Sequence, residues 1–130
     1  MLDQREATAN ELLAPYLPSF LVDWIAHASD DLVREAHGTV AFVDISGFTK
    51  LSERLAKRGK VGAEELADAI NTCFARLLAV AYSYGGVLIK FGGDALLLLF
   101  TGDGHEQRAC LAAGGMRRAL KEVGALDCSG

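Results

Sequence analysis

Two short apolar segments constrain the fold of this 130-residue chain more than any other feature of its sequence. They are Gly38–Asp44 (GTVAFVD) and Ala95–Thr101 (ALLLLFT), and both are almost continuously apolar. Runs of this length and composition are typical of strands that are covered on both faces. A third strand is predicted at residues 87–91, and a tight turn containing Gly92 and Gly93 joins it to the second segment.

Helical patterns alternate with these strands. Residues 48–57 predict a short helical turn, and residues 58–62 (RGKVG) predict a solvated basic loop. Residues 63–84 carry apolar side chains at helical spacing and predict a long amphipathic helix. Residues 105–123 predict a second such helix that ends at Gly124. Two adjacent glycines inside this second helix are expected to allow close packing on the sheet.

The order of these elements is helix, then β-α-β-β-α, which matches a ferredoxin-like βαββαβ fold without its last strand. We therefore predict an α+β fold whose core lacks its C-terminal part. Strands 1 and 3 are neighbours in this topology, and the other edge of strand 1 is left open. The predicted organisation is an N-terminal helical arm at 1–37, with a helix from Ser19 to about Ser29, a core at 38–124 and a tail at 125–130.

The composition excludes several classes of protein. A hydrophobic fraction of 51% is too high for a disordered chain, and a net charge of −4 argues against binding to nucleic acid. The sequence contains no apolar run of membrane-spanning length and no secretory signal, so we expect a cytoplasmic protein. The cysteines and histidines lack the spacing of a disulfide framework or a metal site. These residues are Cys73, Cys110, Cys128, His27, His37 and His105.

Two aspartates lie beside the apolar segments, at one end of the predicted sheet. Asp44 ends the first segment and Asp94 precedes the second, so the pairing of strands 1 and 3 is expected to bring them together. Two carboxylates in one site repel each other, and a divalent cation such as Mg²⁺ relieves that repulsion. Gly47 allows a sharp turn after Asp44, and the free N–H groups of the following helix start favour an anion.

These motifs resemble a known family. Residues 42–53 (FVDISGFTKLSE) and 89–100 (IKFGGDALLLLF) resemble the class III nucleotidyl cyclase catalytic domain, in particular the subgroup of soluble adenylyl cyclases that respond to bicarbonate. The resemblance covers roughly residues 38–123. It implies a cyclase or palm-type variant of the ferredoxin-like fold, and it implies conversion of ATP to 3′,5′-cyclic AMP and pyrophosphate by two-metal phosphoryl transfer.

The resemblance also assigns the metal ligands. Asp44 and Asp94 match the two aspartates that hold two Mg²⁺ or Mn²⁺ ions, and Ile45 matches the position whose backbone carbonyl completes the metal shell. On this assignment Asp44 and Asp94 are the catalytic residues of the chain.

The remaining assignments concern the nucleotide. Gly47, Phe48 and Thr49 match the segment that receives the phosphates, and Lys90 matches the lysine that selects the purine. An ammonium group donates hydrogen bonds but cannot accept them. It can therefore pair with N1 of adenine and not with the N1–H of guanine, so Lys90 indicates ATP.

Members of the family complete this site across a head-to-tail dimer, in which the partner supplies an asparagine and an arginine from a later segment. After Gly124 this sequence contains only ALDCSG, and Asn71 and Arg117 fall within predicted helices. We therefore expect the chain to be incomplete for catalysis by itself. A homodimer or a pairing with another cyclase half is the expected assembly.

Three alternatives remain open. One is an inactive cyclase-like module that dimerises or binds nucleotide, and another is a ferredoxin-like binding domain of unrelated function. The third is a relative of the GGDEF-type diguanylate cyclases, because residues 91–94 (FGGD) resemble their RYGGDEF motif. Against this third alternative, Ala95 occupies the position of the catalytic glutamate.

Overall fold

A computed structural model describes residues 17–27, 33–45, 48–92 and 94–127 of the chain. Within these ranges the chain forms four helices and three strands, which confirms the predicted α+β fold class. In chain order they are α1 (Ser19–His27), β1 (Gly38–Asp44), α2 (Phe48–Ala56), α3 (Gly59–Ser83), β2 (Gly86–Gly92), β3 (Ala95–Thr101) and α4 (His105–Asp127).

The three strands form one antiparallel sheet in the order β1-β3-β2. The predicted adjacency of the first and third strands is therefore confirmed. β1 and β3 pair over their full length, from Gly38 opposite Thr101 to Asp44 opposite Ala95. Among the described residues, β1 pairs with no strand other than β3, so it forms one edge of the sheet.

The hydrophobic core lies between one face of this sheet and the helices α3 and α4. Alternate side chains of β3 point into it, as expected for the two-residue period of a strand. Leu96, Leu98 and Phe100 are each fully buried there. The helices contribute the complementary side chains Leu77, Ala81, Ala109, Ala112 and Met116.

The opposite face of the sheet, which we call the open face, is exposed within the described part of the chain. Val40 and Phe42 of β1 are 61% and 74% exposed there, whereas the intervening residues of β1 are half-buried. The prediction that the first strand is covered on both faces was therefore wrong for the described structure. Composition could not distinguish the two faces, because both carry apolar side chains.

Of residues 58–62, predicted to be a basic loop, 59–62 instead begin the long helix α3, and Arg58 is its N-cap. Gly59 takes a φ of +68°, which lets the chain reverse after a short turn at the end of α2. A Cβ atom at Gly62 would collide with the backbone carbonyl of Leu55 in α2. Here glycine allows close contact between two helices, and it lies within a helix and not in the predicted loop.

The helix α4 also departs from the sequence prediction. It continues through Gly124 to Asp127, so Gly124 does not end it. A Cβ atom at Gly115 would lie 2.8 Å from Cγ1 of Val80, which belongs to α3. The close approach predicted for this glycine pair is therefore made between the two helices and not with the sheet.

Arg108 holds together the end of the sheet that lies away from Asp44. Its guanidinium donates to the backbone carbonyl of Tyr84 at 2.9 Å and to that of Asp103 at 3.2 Å. It also donates to the carbonyl of Thr101, the last residue of β3. One side chain thus connects the turn before β2, the end of β3 and the loop that leads into α4.

The N-terminal helix α1 packs beside β2. Its start at Ser19 is as predicted, whereas the rest of the predicted arm at 1–16 and 28–32 lies outside the described residues. The guanidinium of Arg34 lies 5.6 Å from the ring centroid of Phe20 and links α1 to the segment before β1. Within the described ranges, none of the helices combines the length and hydrophobicity that crossing a bilayer requires.

The two adjacent glycines of α4 give a matched test of this packing. Gly114→Ala is expected to raise the free energy of unfolding by about 0.5–1 kcal/mol, because alanine favours a helix and the nearest side-chain atom is 3.7 Å away. Gly115→Ala is expected to lower it by about 1 kcal/mol or more, because the added methyl group meets Val80. Denaturant unfolding measures both values. Equal stabilisation by the two substitutions would contradict the close α3–α4 contact.

Candidate active site

The pairing of β1 with β3 brings the two predicted metal-binding aspartates to the same end of the sheet. Asp44 is opposite Ala95, which directly follows Asp94. The backbone N–H of Ile45 donates to the backbone carbonyl of Asp94 at 3.3 Å, which extends the ladder by one step. Both aspartates are exposed. The fold thus provides two accessible carboxylates on adjacent chain segments.

Ile45 anchors the chain just after Asp44. Its side chain is partly buried and packs against the core, on the helix-covered side of the sheet. Because side chains alternate along a strand, this packing turns the preceding Asp44 toward the open face. The packing of Ile45 on the core therefore orients the Asp44 carboxylate toward the open face.

The predicted phosphate segment lies between β1 and α2. Gly47 falls outside the described residues, so its predicted turn is not described. Phe48 is the first residue of α2, and Thr49 is exposed in the first turn of that helix. The Ser52 hydroxyl donates to the Thr49 carbonyl at 2.8 Å, within the same helix. The start of α2 lies four residues after Asp44, the last residue of β1.

Lys90 lies on the open face because of a β-bulge in β2. Leu88 is opposite Leu98, and both of these side chains pack on the helix-covered side. The register then skips Ile89, so that Lys90 is opposite Leu97. Strict alternation without this skip would turn Lys90 toward the helices. The bulge therefore gives Lys90 the same face as the β1 aspartate, as bulges next to active sites often do.

The neighbouring residue Phe91 supports this orientation independently. Its ring centroid lies 5.5 Å from that of Phe74, a residue of α3 that packs against the core. Phe91 therefore points to the helix-covered side, and Lys90, one residue earlier, points to the other. The bulge at Ile89 precedes Lys90, and this aromatic contact of Phe91 holds β2 just after it.

A cleft of about 630 Å³ runs along the outer edge of β2. Pro18 and Ser19, at the start of α1, form one wall, and Ile89 and Lys90 form part of the other; Pro18 directly precedes the helix. The exposed Lys90 ammonium is thus accessible both from this edge and from the open face. The cleft falls within the usual size range for small-molecule sites.

The donor set at the Asp44 end suits a hard divalent cation. Carboxylate and carbonyl oxygens are the ligands that Mg²⁺ and Mn²⁺ prefer. No group of three or more histidine, cysteine or acidic residues able to hold a metal occurs in the part of the chain that the structure describes. Mg²⁺ commonly uses one or two carboxylates and takes its remaining ligands from substrate phosphates and water. Two aspartates with an adjacent backbone carbonyl fit that pattern.

The structure identifies positioning residues that the sequence did not reveal. The bulge at Ile89 and the contact between Phe74 and Phe91 together orient Lys90. In the sequence, 86–92 reads as an ordinary short strand, because nothing in its composition marks where the register shifts. The bulge is recognised only in the structure, where Leu88 and Phe91 are an odd number of positions apart and yet face the same side.

Comparison with known proteins gives consistent results. No protein-family model matches the chain. Over 90 residues the chain is 33% identical to adenylate cyclase type 10 of Rattus norvegicus and 32% identical to that of Homo sapiens. The matched segment is 68% of this chain but 6% of each relative. The chain therefore corresponds to a small part of these curated relatives.

Solved structures show the same fold. The chain superposes on a bacterial light-regulated adenylyl cyclase with a TM-score of 0.67 and 23% sequence identity. A second structure of such a cyclase gives a TM-score of 0.68 and 24% identity. Each superposition covers 92% of this chain and 34% of the solved chain. Together with the sequence matches, they show that the chain belongs to the class III adenylyl cyclase catalytic-domain family.

Proposed function

We propose that this chain contributes the metal- and base-binding half of an adenylate cyclase site, which converts ATP to 3′,5′-cyclic AMP and pyrophosphate. One observation carries the proposal: Asp44 and Asp94 meet at one end of the sheet, and the bulge in β2 gives Lys90 the same face. Two carboxylates suit a metal–triphosphate, and a nearby ammonium group suits a purine ring. The matches to adenylate cyclases support this reading.

Asp44, Asp94 and the backbone carbonyl of Ile45 are the proposed ligands of two Mg²⁺ or Mn²⁺ ions. When bound, such ions supply Lewis acidity at the ribose 3′-hydroxyl and charge neutralisation at the triphosphate. The two aspartates would hold the ions through their exposed carboxylates. Ile45 keeps the Asp44 carboxylate on the open face through its packing on the core.

The start of α2 is the proposed phosphate-binding segment. Gly47, Phe48 and Thr49 would receive the phosphates through backbone N–H groups and the Thr49 hydroxyl. The N–H groups in the first turn of a helix have no partners within that helix, so they favour an anion. The segment begins three residues after Asp44, so metal and phosphate would be bound by residues close together in the chain.

Lys90 is the proposed adenine-selecting residue. Its ammonium can donate to N1 of adenine, and guanine offers an N–H at that position. The bulge at Ile89 and the contact of Phe91 with Phe74 act as positioning features for this lysine. The proposed selectivity therefore depends on local strand geometry as well as on the charge.

A second chain is the proposed source of the remaining catalytic groups. Asn71 and Arg117 lie on α3 and α4, in the helical layer on the other side of the sheet from Asp44. Val40 and Phe42, by contrast, expose apolar surface on the open face beside Asp44. Such a surface favours contact with a partner. We propose that a second copy, or another cyclase half, covers this face and completes the site.

A nucleotide-binding module without turnover is the second candidate. The position of Asn71 and Arg117 favours it, because neither residue can assist a reaction at the open face from the helical layer. A diguanylate cyclase is less well supported, because Ala95 is opposite Asp44 where that family's motif has a glutamate. Binding and turnover must therefore be measured separately.

Asp44→Ala is expected to weaken binding of Mn²⁺–ATP by at least about tenfold, because it removes a proposed metal ligand. Asp103→Ala is the matched control, since Asp103 is an exposed aspartate in the loop before α4, beyond the opposite end of β3. Isothermal titration calorimetry measures both affinities. Equal affinity of the two variants would contradict the proposed metal site.

Lys90→Glu is expected to shift the ratio of ATP to GTP affinity toward GTP by about tenfold or more, because a carboxylate accepts from the guanine N1–H. Lys57→Glu, an exposed position in the turn after α2, makes the same charge change away from the open face. Competition between the two nucleotides for each purified variant measures the ratio. A shift of equal size in both variants would mean that net charge, and not Lys90, sets the preference.

Turnover by the purified chain alone is expected to be negligible, because each missing donor to the transition state typically costs about 10²–10³ in rate. Activity should appear on mixing with a class III catalytic domain whose own two metal-binding aspartates are replaced by alanine. In that mixture only Asp44 and Asp94 can hold the metals, and Asp44→Ala should abolish the gain. Cyclic AMP formation measures it. Rapid turnover by the chain alone would contradict the proposed division of the site.

A further inference from the structure

His37 and His105 lie in contact although 68 residues separate them in the sequence. Nε2 of His105 is 3.2 Å from Nδ1 of His37, and the ring centroids are 5.1 Å apart in an edge-to-face arrangement. His105 is the first residue of α4 and is 8% exposed, whereas His37 is exposed in the segment before β1. The pair thus joins a helix start to the beginning of the first strand.

The other ring nitrogen of His105 is held by oxygen atoms. Its Nδ1 is 2.8 Å from the hydroxyl oxygen of Thr39 and 3.5 Å from a carboxylate oxygen of Glu106. The Thr39 hydroxyl can accept a hydrogen bond, so this arrangement is compatible with a proton on Nδ1. Nε2 is then left with a lone pair that faces His37. Histidines that bind metal ions are usually oriented in this way, with the second nitrogen donating to an oxygen.

The spacing of the two nitrogens suits a shared metal ion. Two imidazole nitrogens bound to one tetrahedral Zn²⁺, each at about 2.0–2.1 Å from it, lie about 3.3 Å from each other. The observed 3.2 Å between His37 and His105 is close to this value. The ring of His37 is exposed and can rotate to direct its lone pair toward an ion, while His105 is already fixed.

The chemistry of this pair differs from that of the two aspartates. Imidazole nitrogen is a preferred ligand of Zn²⁺ and neighbouring transition metals, whereas Mg²⁺ prefers oxygen. His37 precedes β1 and Asp44 ends it, so the two sets lie roughly 20 Å apart along an extended strand. No third protein ligand joins the histidines among the described residues, so water would complete the coordination.

We propose that His37 and His105 form a two-histidine site for a transition-metal dication such as Zn²⁺, which clamps the segment before β1 to the start of α4. Thr39 acts as a positioning residue that fixes the His105 ring. The site is exchangeable, because two protein ligands bind less tightly than the three or four of a structural zinc centre. It is independent of the proposed cyclase function.

The test is a titration of the intact chain with Zn²⁺, followed by calorimetry and by the thermal unfolding midpoint, with Mg²⁺ as the comparison ion. His37→Ala changes an exposed residue and is expected to weaken Zn²⁺ binding at least tenfold and to abolish the Zn²⁺-dependent rise in midpoint. His27→Ala is the matched control, since His27 is an exposed histidine on α1 with its own carboxylate neighbour, Asp23, at 3.2 Å. It should bind Zn²⁺ as the unaltered chain does.

Thr39→Val separates a metal site from a simple hydrogen bond. It keeps both histidines and is expected to weaken Zn²⁺ binding about tenfold by releasing the His105 ring. The imidazole resonances of His37 and His105 should also shift together on adding Zn²⁺. If His37→Ala and His27→Ala bind Zn²⁺ equally, or if the two rings do not respond, the pair is a hydrogen bond only and the proposal fails. All variants keep the same cysteines, so differences between them report on the histidines.

Discussion

The pairing between β1 and β3 is the interaction on which the rest of this structure depends. It sets Asp44 opposite Ala95 and extends through the hydrogen bond from Ile45 to Asp94. A slip of one residue would move every β1 side chain to the opposite face. Asp44 would then point into the helix-covered side, and Ile45 would lose its packing on the core. The buried side chains of β3 therefore stabilise the site indirectly, because they fix the register that creates it.

The helical layer contributes by covering one side of the sheet. The approach of α3 and α4 at Gly115, with Val80 close by, packs the two helices tightly over the sheet. Arg108 then ties the far ends of β2 and β3 to the loop before α4. Since the core lies on this side, polar groups such as Asp44 and Lys90 can be exposed on the other without disturbing it. Val40 and Phe42 are apolar but lie on the open face, where the described fold does not bury them.

Much of the fold follows from the sequence, because strand composition and the order of elements determine which strands can be neighbours. The adjacency of strands 1 and 3, and with it the meeting of Asp44 and Asp94, is a consequence of that order. The errors in the helix boundaries have a common origin in glycine. Gly62 and Gly124 resemble loop or stop signals in the sequence, whereas they lie within helices in the structure. A glycine that permits close packing and one that breaks a helix look alike until the neighbouring element is known.

The bulge at Ile89 and the pair of histidines were invisible in the sequence for a different reason. Each depends on a relation between strands and helices that are distant along the chain, and periodicity within one segment carries no record of it. Lys90 reaches the open face because the register skips a residue. His37 and His105 meet because β1 and α4 start at the same end of the sheet. One strand, β1, thus connects two chemically different ends of the sheet, with the carboxylates of Asp44 and Asp94 at one end and the imidazoles of His37 and His105 at the other. The strand keeps these two sets of side chains at opposite ends of the sheet, so the two proposed ion sites share no ligand.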